Sequence, residues 1–188
     1  MRELPPPAPR TLLHTRQVQC TGWEREDGLF DIEGRMSDVR TLDQDGARGN
    51  VPRRAGEPVH LMSLRITVDA QLRIVAAQAC SHQVPFDDCT RINDAYERLV
   101  GLQIKGGFGK AVKDLFAGEQ GCTHLTELLG PMATTAFQTL GPALERRRVA
   151  RGEPLEDPAS RRRLQDSCYG LRAGGHAAVV RWGARDGR

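Results

Sequence analysis

Lysine is nearly missing from this chain: Lys105, Lys110 and Lys113 stand against 24 arginines in 188 residues. So lopsided a basic set points to a GC-rich coding bias rather than to function. The net charge is only +3, which argues against nucleic-acid binding through a broad electrostatic surface. No apolar run approaches the roughly 20 residues of a membrane span. The N-terminus carries Pro5-Pro6-Pro7 and no apolar signal core, so no secretion route is expected. Five cysteines at irregular spacing, without a CxxC pair, exclude both a disulfide framework and a zinc-finger pattern. Free thiols in a reducing cytoplasm are expected. The chain also lacks an internal repeat and a GxxxxGK[ST] phosphate loop.

What remains is a hydrophobic share of 39% and a mean hydropathy of -0.48, the composition of a soluble protein. The patterning predicts a flexible N-terminal tail over 1–12, one α+β domain over 13–172 and a flexible C-terminal tail over 173–188. Leu13 to Trp23 reads as a strand. Asp27-Gly28 is a hairpin signal. Phe30, Ile32 and Met36 then alternate with Asp31, Glu33, Arg35 and Ser37, a half-buried strand whose acidic pair belongs to its outer face. Residues 40–57 hold almost no apolar anchor and predict a long loop. Its arginines are candidates for an anion, although a solvated loop explains them as well. His60, Met62, Leu64, Ile66 and Val68 share the face of a third strand, and Leu72 to Cys80 returns as a fourth. That last hairpin is expected to be the most buried part of the sheet.

Helices follow. Ile92, Ala95, Tyr96, Leu99 and Val100 give a short amphipathic one. Lys105-Gly106-Gly107-Phe108-Gly109-Lys110 reads as a flexible connection in which Phe108 packs down. It holds or adjoins all three lysines, so it is the best lysine-based contact for an anionic ligand. Ala111, Val112, Leu115 and Phe116 mark another short helix. Leu125, Leu128, Leu129, Met132, Ala136, Phe137 and Leu140 then predict the main helix, from about Thr123 towards Arg148. Pro131 should kink it near Gly130. Asp157-Pro158 predicts a last helix with Leu164, Cys168 and Leu171 as a thin stripe and Arg161-Arg162-Arg163 on its solvated face. The pattern as a whole is an antiparallel sheet of about four strands with helices on one face.

The chemistry concentrates at Gly121-Cys122-Thr123-His124 and Glu127, where the main helix begins. Thr123 is the expected N-cap. The positive helix end favours a thiolate at Cys122 and a neutral imidazole at His124. Glu127, three residues on, could orient that imidazole. The plainer reading is a buried small side chain, a capping histidine and a solvated glutamate. Cys80, His82 and Cys89 also fall close together, but without metal-ligand spacing. His60, at the rim of its strand, reads first as a core histidine.

These segments resemble a bacterial family known as domain of unknown function 2889. The likeness rests on His14-Thr15-Arg16, Asp27-Gly28-Leu29-Phe30-Asp31-Ile32-Glu33-Gly34 and Gly56-Glu57-Pro58-Val59-His60. It continues through Leu64 to Asp69, Pro85 with Cys89, and Leu99 to Leu102. Gly121-Cys122-Thr123-His124-Leu125 with Glu127-Leu128-Leu129 is its strongest part. Where the family pattern has an acidic residue after the Val-His pair, this chain has Leu61. The resemblance implies no activity, but it raises the weight of His60, Cys89, Cys122 and His124. The layout is also similar to that of iron–sulfur scaffold proteins.

Three functions follow. The first is a metal site of zinc or iron–sulfur type, held by Cys122, His124, Cys89 and His60. The second is an enzyme of acyl or thioester transfer, with Cys122 as nucleophile, His124 as base and Glu127 as its orienting carboxylate. The third is a partner-binding module without chemistry, whose basic C-terminal region is the contact surface.

Overall fold

The computed structural model describes residues 4–154, 161, 162 and 164–183. Strands β1 (His14–Glu24), β2 (Phe30–Arg40), β3 (Pro58–Val68) and β4 (Ile74–Gln83) form one antiparallel sheet in the order β1-β2-β3-β4. A 3-10 segment, Asp87–Leu99, leads to helix α1 (Phe108–Leu115) and then to helix α2 (Thr123–Ala150). This is the α+β arrangement that the alternation followed by helical spacing predicts. By compactness the chain divides into two units, Met1–Leu140 and Gly141–Arg188.

In the first unit, turn chemistry sets the sheet's register. Gly28 adopts φ +87 between β1 and β2, a region that costs glycine nothing, and Arg25 N–H closes the turn on Leu29 O at 2.9 Å. Phe30, Ile32, Gly34, Met36 and Asp38 then stand directly opposite Val68, Ile66, Leu64, Met62 and His60. Because successive strand residues face opposite ways, both sets point to one face. Helix α2 covers that face with Leu125, Leu128, Leu129, Met132 and Ala136, all fully buried. The approach is close. A Cβ at Gly34 would lie 2.6 Å from Met132 Sδ, so glycine is what lets the helix settle there. Each of these leucines and the methionine, removed from water, contributes about 1.5–3 kcal/mol.

Several expectations need correction. The most buried hairpin is β2–β3, because the sheet order leaves β4 at an edge with alternate residues exposed. Phe137 is 44% exposed; Ala136 and Leu140 take the covered stripe, and Phe137 is turned about 100° away from Ala136. The segment with Tyr96 and Leu99 is 3-10 rather than α-helical, and Val100 is half exposed. Cys80 is exposed on the sheet's outer face, opposite Ser63, so it does not pack inward. Phe108 is buried, as expected, and opens α1. Helix α2 continues through Pro131 to Ala150.

The 40–57 loop is built rather than slack. Gln44 and Arg53 exchange both backbone hydrogen bonds, and Val51 N–H reaches Pro85 O at 2.8 Å. Asp43, Asp45 and Glu57 accept from the backbone amides of Ala55, Ala47 and Arg54. These polar partners replace the apolar anchors that the segment lacks.

The second unit has a small core of its own. Ala143 and Ala178 are buried, and a short helix, His176–Trp182, lies within the predicted C-terminal tail. Arg181 donates to Glu145 at 3.1 Å. Asp166 at φ +63 interrupts the predicted stripe, so Cys168 is exposed and Tyr169–Leu171 forms a 3-10 turn. The expected start at Asp157-Pro158, Arg163 and the outermost tail residues 1–3 and 184–188 lie outside the described residues.

Candidate metal centre

Asp38 continues the inward parity of Phe30, Ile32 and Met36 but carries a charge, and it is 1% exposed. A buried carboxylate must be answered by donors or cations. The register supplies them. Arg16 on β1 and His60 on β3 stand opposite Asp38 on either side, forming one polar rank across three strands. Arg16 grips the carboxylate with both arms, Nε to Oδ1 at 2.7 Å and Nη2 to Oδ2 at 2.8 Å. His14, two residues earlier on the same face, brings Nε2 to 3.0 Å from Oδ1. The remaining arm of Arg16 donates to Glu127 Oε2 at 2.5 Å. Glu127 is thereby engaged with Arg16.

The other approach to Asp38 comes through Oδ2. His60 Nδ1 lies 3.1 Å from it, close enough for charge but off the line of a hydrogen bond; Nδ1 is buried with no hydrogen-bond partner. His124 descends from the first turn of α2 and places Nε2 3.7 Å from the same oxygen. The two imidazoles stack with centroids 3.8 Å apart and planes at 29°. The register shifts between Asp38 and Val39, where β3 carries Val59 as an extra residue, an irregularity of the kind that re-aims side chains at strand ends.

The helix start is fixed by a residue with no sequence motif. Cys122 is the N-cap, since its carbonyl accepts the first helical bond from Thr126 at 2.9 Å, so the cap falls one residue before the expected Thr123. Tyr96 Oη accepts from Cys122 N–H at 3.0 Å and donates to its carbonyl at 2.8 Å. Thr126 Oγ1 adds a 2.7 Å bond. Tyr96 itself is fully buried and stacks on Phe116. The small Gly121 lets the chain pass Phe116, because a Cβ there would meet Phe116 Cβ at 2.5 Å.

Charge states follow from these neighbours. Burial pushes the Asp38 carboxyl up, but the hydrogen bonds of Arg16 and His14, with the charge of Arg16, outweigh it and hold it at about 2. Burial and the adjacent His124 lower His60 to about 4, against the pull of Asp38. Burial, then Arg16, lowers His124 as well. At neutral pH the centre therefore holds an ionised carboxylate and two neutral imidazoles, the protonation state that metal ligands require.

The residues singled out from sequence meet here. His60, Cys89, Cys122 and His124 line one cavity of about 440 Å³, together with Arg40, Gln44 and Asn50 of the long loop. Burial raises the Cys89 thiol, and the neighbouring Cys122 adds to that. The group whose donor atoms all lie within 4.8 Å of one another is Asp38, His60 and His124; the thiols stand outside it. Cys80 and His82 contact each other at 3.6 Å on the outer face and take no part. Lys110 pairs with Asp114 across one turn of α1 at 2.5 Å. Asp38 was missed from sequence, although its even-numbered place after Met36 was the available signal. A carboxylate on the apolar parity of a strand must face the core side. No helix among the described residues is long and apolar enough to cross a membrane. A family model described as a protein of unknown function, DUF2889, matches residues 14–138. No curated protein and no solved structure matches the chain.

Proposed function

The chain belongs to the DUF2889 family, and we propose that its domain binds a divalent transition metal of the zinc type through Asp38, His60 and His124. The observation that carries this reading is the buried, unpartnered His60 Nδ1 facing Asp38 Oδ2, with His124 Nε2 beside it. In a tetrahedral site with bonds near 2.05 Å, ligand atoms sit about 3.3 Å apart. The distances of 3.1 and 3.7 Å bracket that value. With Arg16 positive and Asp38 and Glu127 negative, the cluster carries one net negative charge when its histidines are neutral, which favours a cation. Arg16 and His14 act as outer partners that orient the carboxylate. Two nitrogens and one oxygen suit zinc better than an iron–sulfur unit, which needs thiolates. Cys122 and Cys89 line the same cavity, where either could complete the ligand set. The metal would supply a Lewis acid, and this chain's residues hold the charge and shape around it.

Zinc titration of apo protein, purified without a metal-affinity tag, tests this. One equivalent of zinc per chain is expected, and the His60→Ala/His124→Ala double variant should lose it. A wild-type protein that binds no stoichiometric zinc, cobalt or iron overturns the reading. One observation favours a second reading. Cys122 is held at both backbone groups by Tyr96 and shares its cavity with two neutral imidazoles, a setting for a thiol nucleophile with His124 as base. Asp38 rather than Glu127 would then orient the base. In that case Cys122 is alkylated faster than Cys20 and Cys168, with or without metal. If neither result is obtained, the partner-binding module is the function left.

A further inference from the structure

Next to the cavity of the histidines lies a larger, open one, of about 920 Å³, lined by the 40–57 loop. Arg40, Arg48, Arg53 and Arg54 all line it. Three carboxylates line it too, yet each is turned to the backbone: Asp43 to Ala55 N–H, Asp45 to Ala47 N–H and Glu57 to Arg54 N–H. Arg40 donates to the Gln44 amide oxygen and Arg53 to the Gln83 amide oxygen and Pro52 carbonyl, all neutral acceptors. Among the described residues, none of the four guanidiniums is within ion-pair distance of a carboxylate. The lining therefore carries four positive and three negative charges, one net positive, with the acids tied to the loop backbone and the guanidiniums bonded only to neutral groups.

The backbone points the same way. Arg48 adopts φ +58, ψ 30, a left-handed conformation that is strained for a residue with a Cβ. Gly49, immediately after it, also adopts a positive φ, +78, so the turn uses two such residues in succession and only the first carries a Cβ. Strained residues of this sort gather at ligand sites.

The two cavities are neighbours through shared residues: Arg40, Gln44 and Asn50 line both. The smaller cavity is also lined by apolar side chains, Val59, Met62, Pro85 and Phe86, together with the thiols and histidines. We infer that the domain takes a small molecule with an oxyanion head, a phosphate or a carboxylate, seated among the loop arginines, and a less polar body that extends to the histidine cavity. Guanidinium forks bind both oxyanions in paired hydrogen bonds. The inference rests on the metal reading only for what the far end of the ligand meets. The seat of the charge rests on the arginine geometry alone.

The test uses apo protein, so that its outcome does not depend on metal. Inorganic phosphate and acetate are titrated separately by calorimetry into wild type, Arg48→Gln/Arg54→Gln and His60→Ala/His124→Ala. Saturable binding is expected for one or both anions, the tighter of them naming the head group. It should weaken at least about ten-fold in the arginine variant and persist in the histidine variant. The Arg48→Lys/Arg54→Lys variant, which keeps the charges, should retain part of it. Phenyl phosphate or benzoate, whichever matches that head group, should then slow alkylation of Cys122 and Cys89 by iodoacetamide and leave exposed Cys168 unaffected. Loss of that protection in the arginine variant completes the case. Absence of saturable anion binding, equal binding in the glutamine variant, or a lack of thiol protection overturns it. Anion binding without metal binding leaves this inference standing while the metal reading falls.

Discussion

One face of the β2–β3 pair is apolar at one end and ionic at the other, although the same alternation builds both. From Phe30 to Met36 the inward positions are hydrophobic or glycine, and the middle of α2 closes over them with Leu128, Leu129 and Met132. Two residues further on, the same parity delivers Asp38 and His60, and the first turn of the same helix brings His124. The apolar end is held by area removed from water, which is tolerant of detail. The ionic end is held by specific partners, each of which loses its reason if one is removed. The difference teaches that a site can be made by extending a core pattern past the point where the core ends, provided that neighbouring strands supply the answering charges in register.

Substitutions separate the two ends. Leu129→Ala should cost about 2–5 kcal/mol in urea unfolding, because a fully buried leucine leaves a cavity under α2. A loss near zero would mean that the apolar end does not carry the fold. Gly34→Ala should cost about 1–3 kcal/mol by overpacking against Met132, and should cost less in a Met132→Ala background than in wild type.

At the ionic end the same comparison appears in pH. His60 and His124 are held below the ordinary histidine range in the folded state. The unfolded chain therefore binds protons first on acidification. Stability from these groups is complete above about pH 6.5 and falls as pH drops towards 4, the folded value of His60. Asp38, depressed to about 2, adds a further loss only below about pH 4. Unfolding free energies measured between pH 8 and 4 should decline in wild type and flatten in His60→Gln/His124→Gln. Equal slopes in the two proteins would show that the histidines are not held neutral by the fold. The smallest effect should be Phe137→Ala, within about 0.5 kcal/mol of wild type, since that ring is turned to solvent. Set beside Leu129→Ala, it tests which side of α2 faces the sheet.

The sequence by itself determined the alternating strands, the helical stripe and the turn at Gly28, because each depends on neighbours a few positions away. It also marked His60, Cys89, Cys122 and His124 as chemistry-bearing ends of elements, and one cavity holds all four. That Asp38 lies against His60 and His124, with the thiols outside that group, was decided by the fold alone. The carboxylate gains its meaning from Arg16, 22 residues earlier, and His60, 22 later, and register rather than local propensity brings the three together. Tyr96 is a similar case: nothing near it in the chain announces a clamp on Cys122, because its partner lies 26 residues away. Local periodicity reports which way a side chain points. What it meets there is set by the pairing of distant segments.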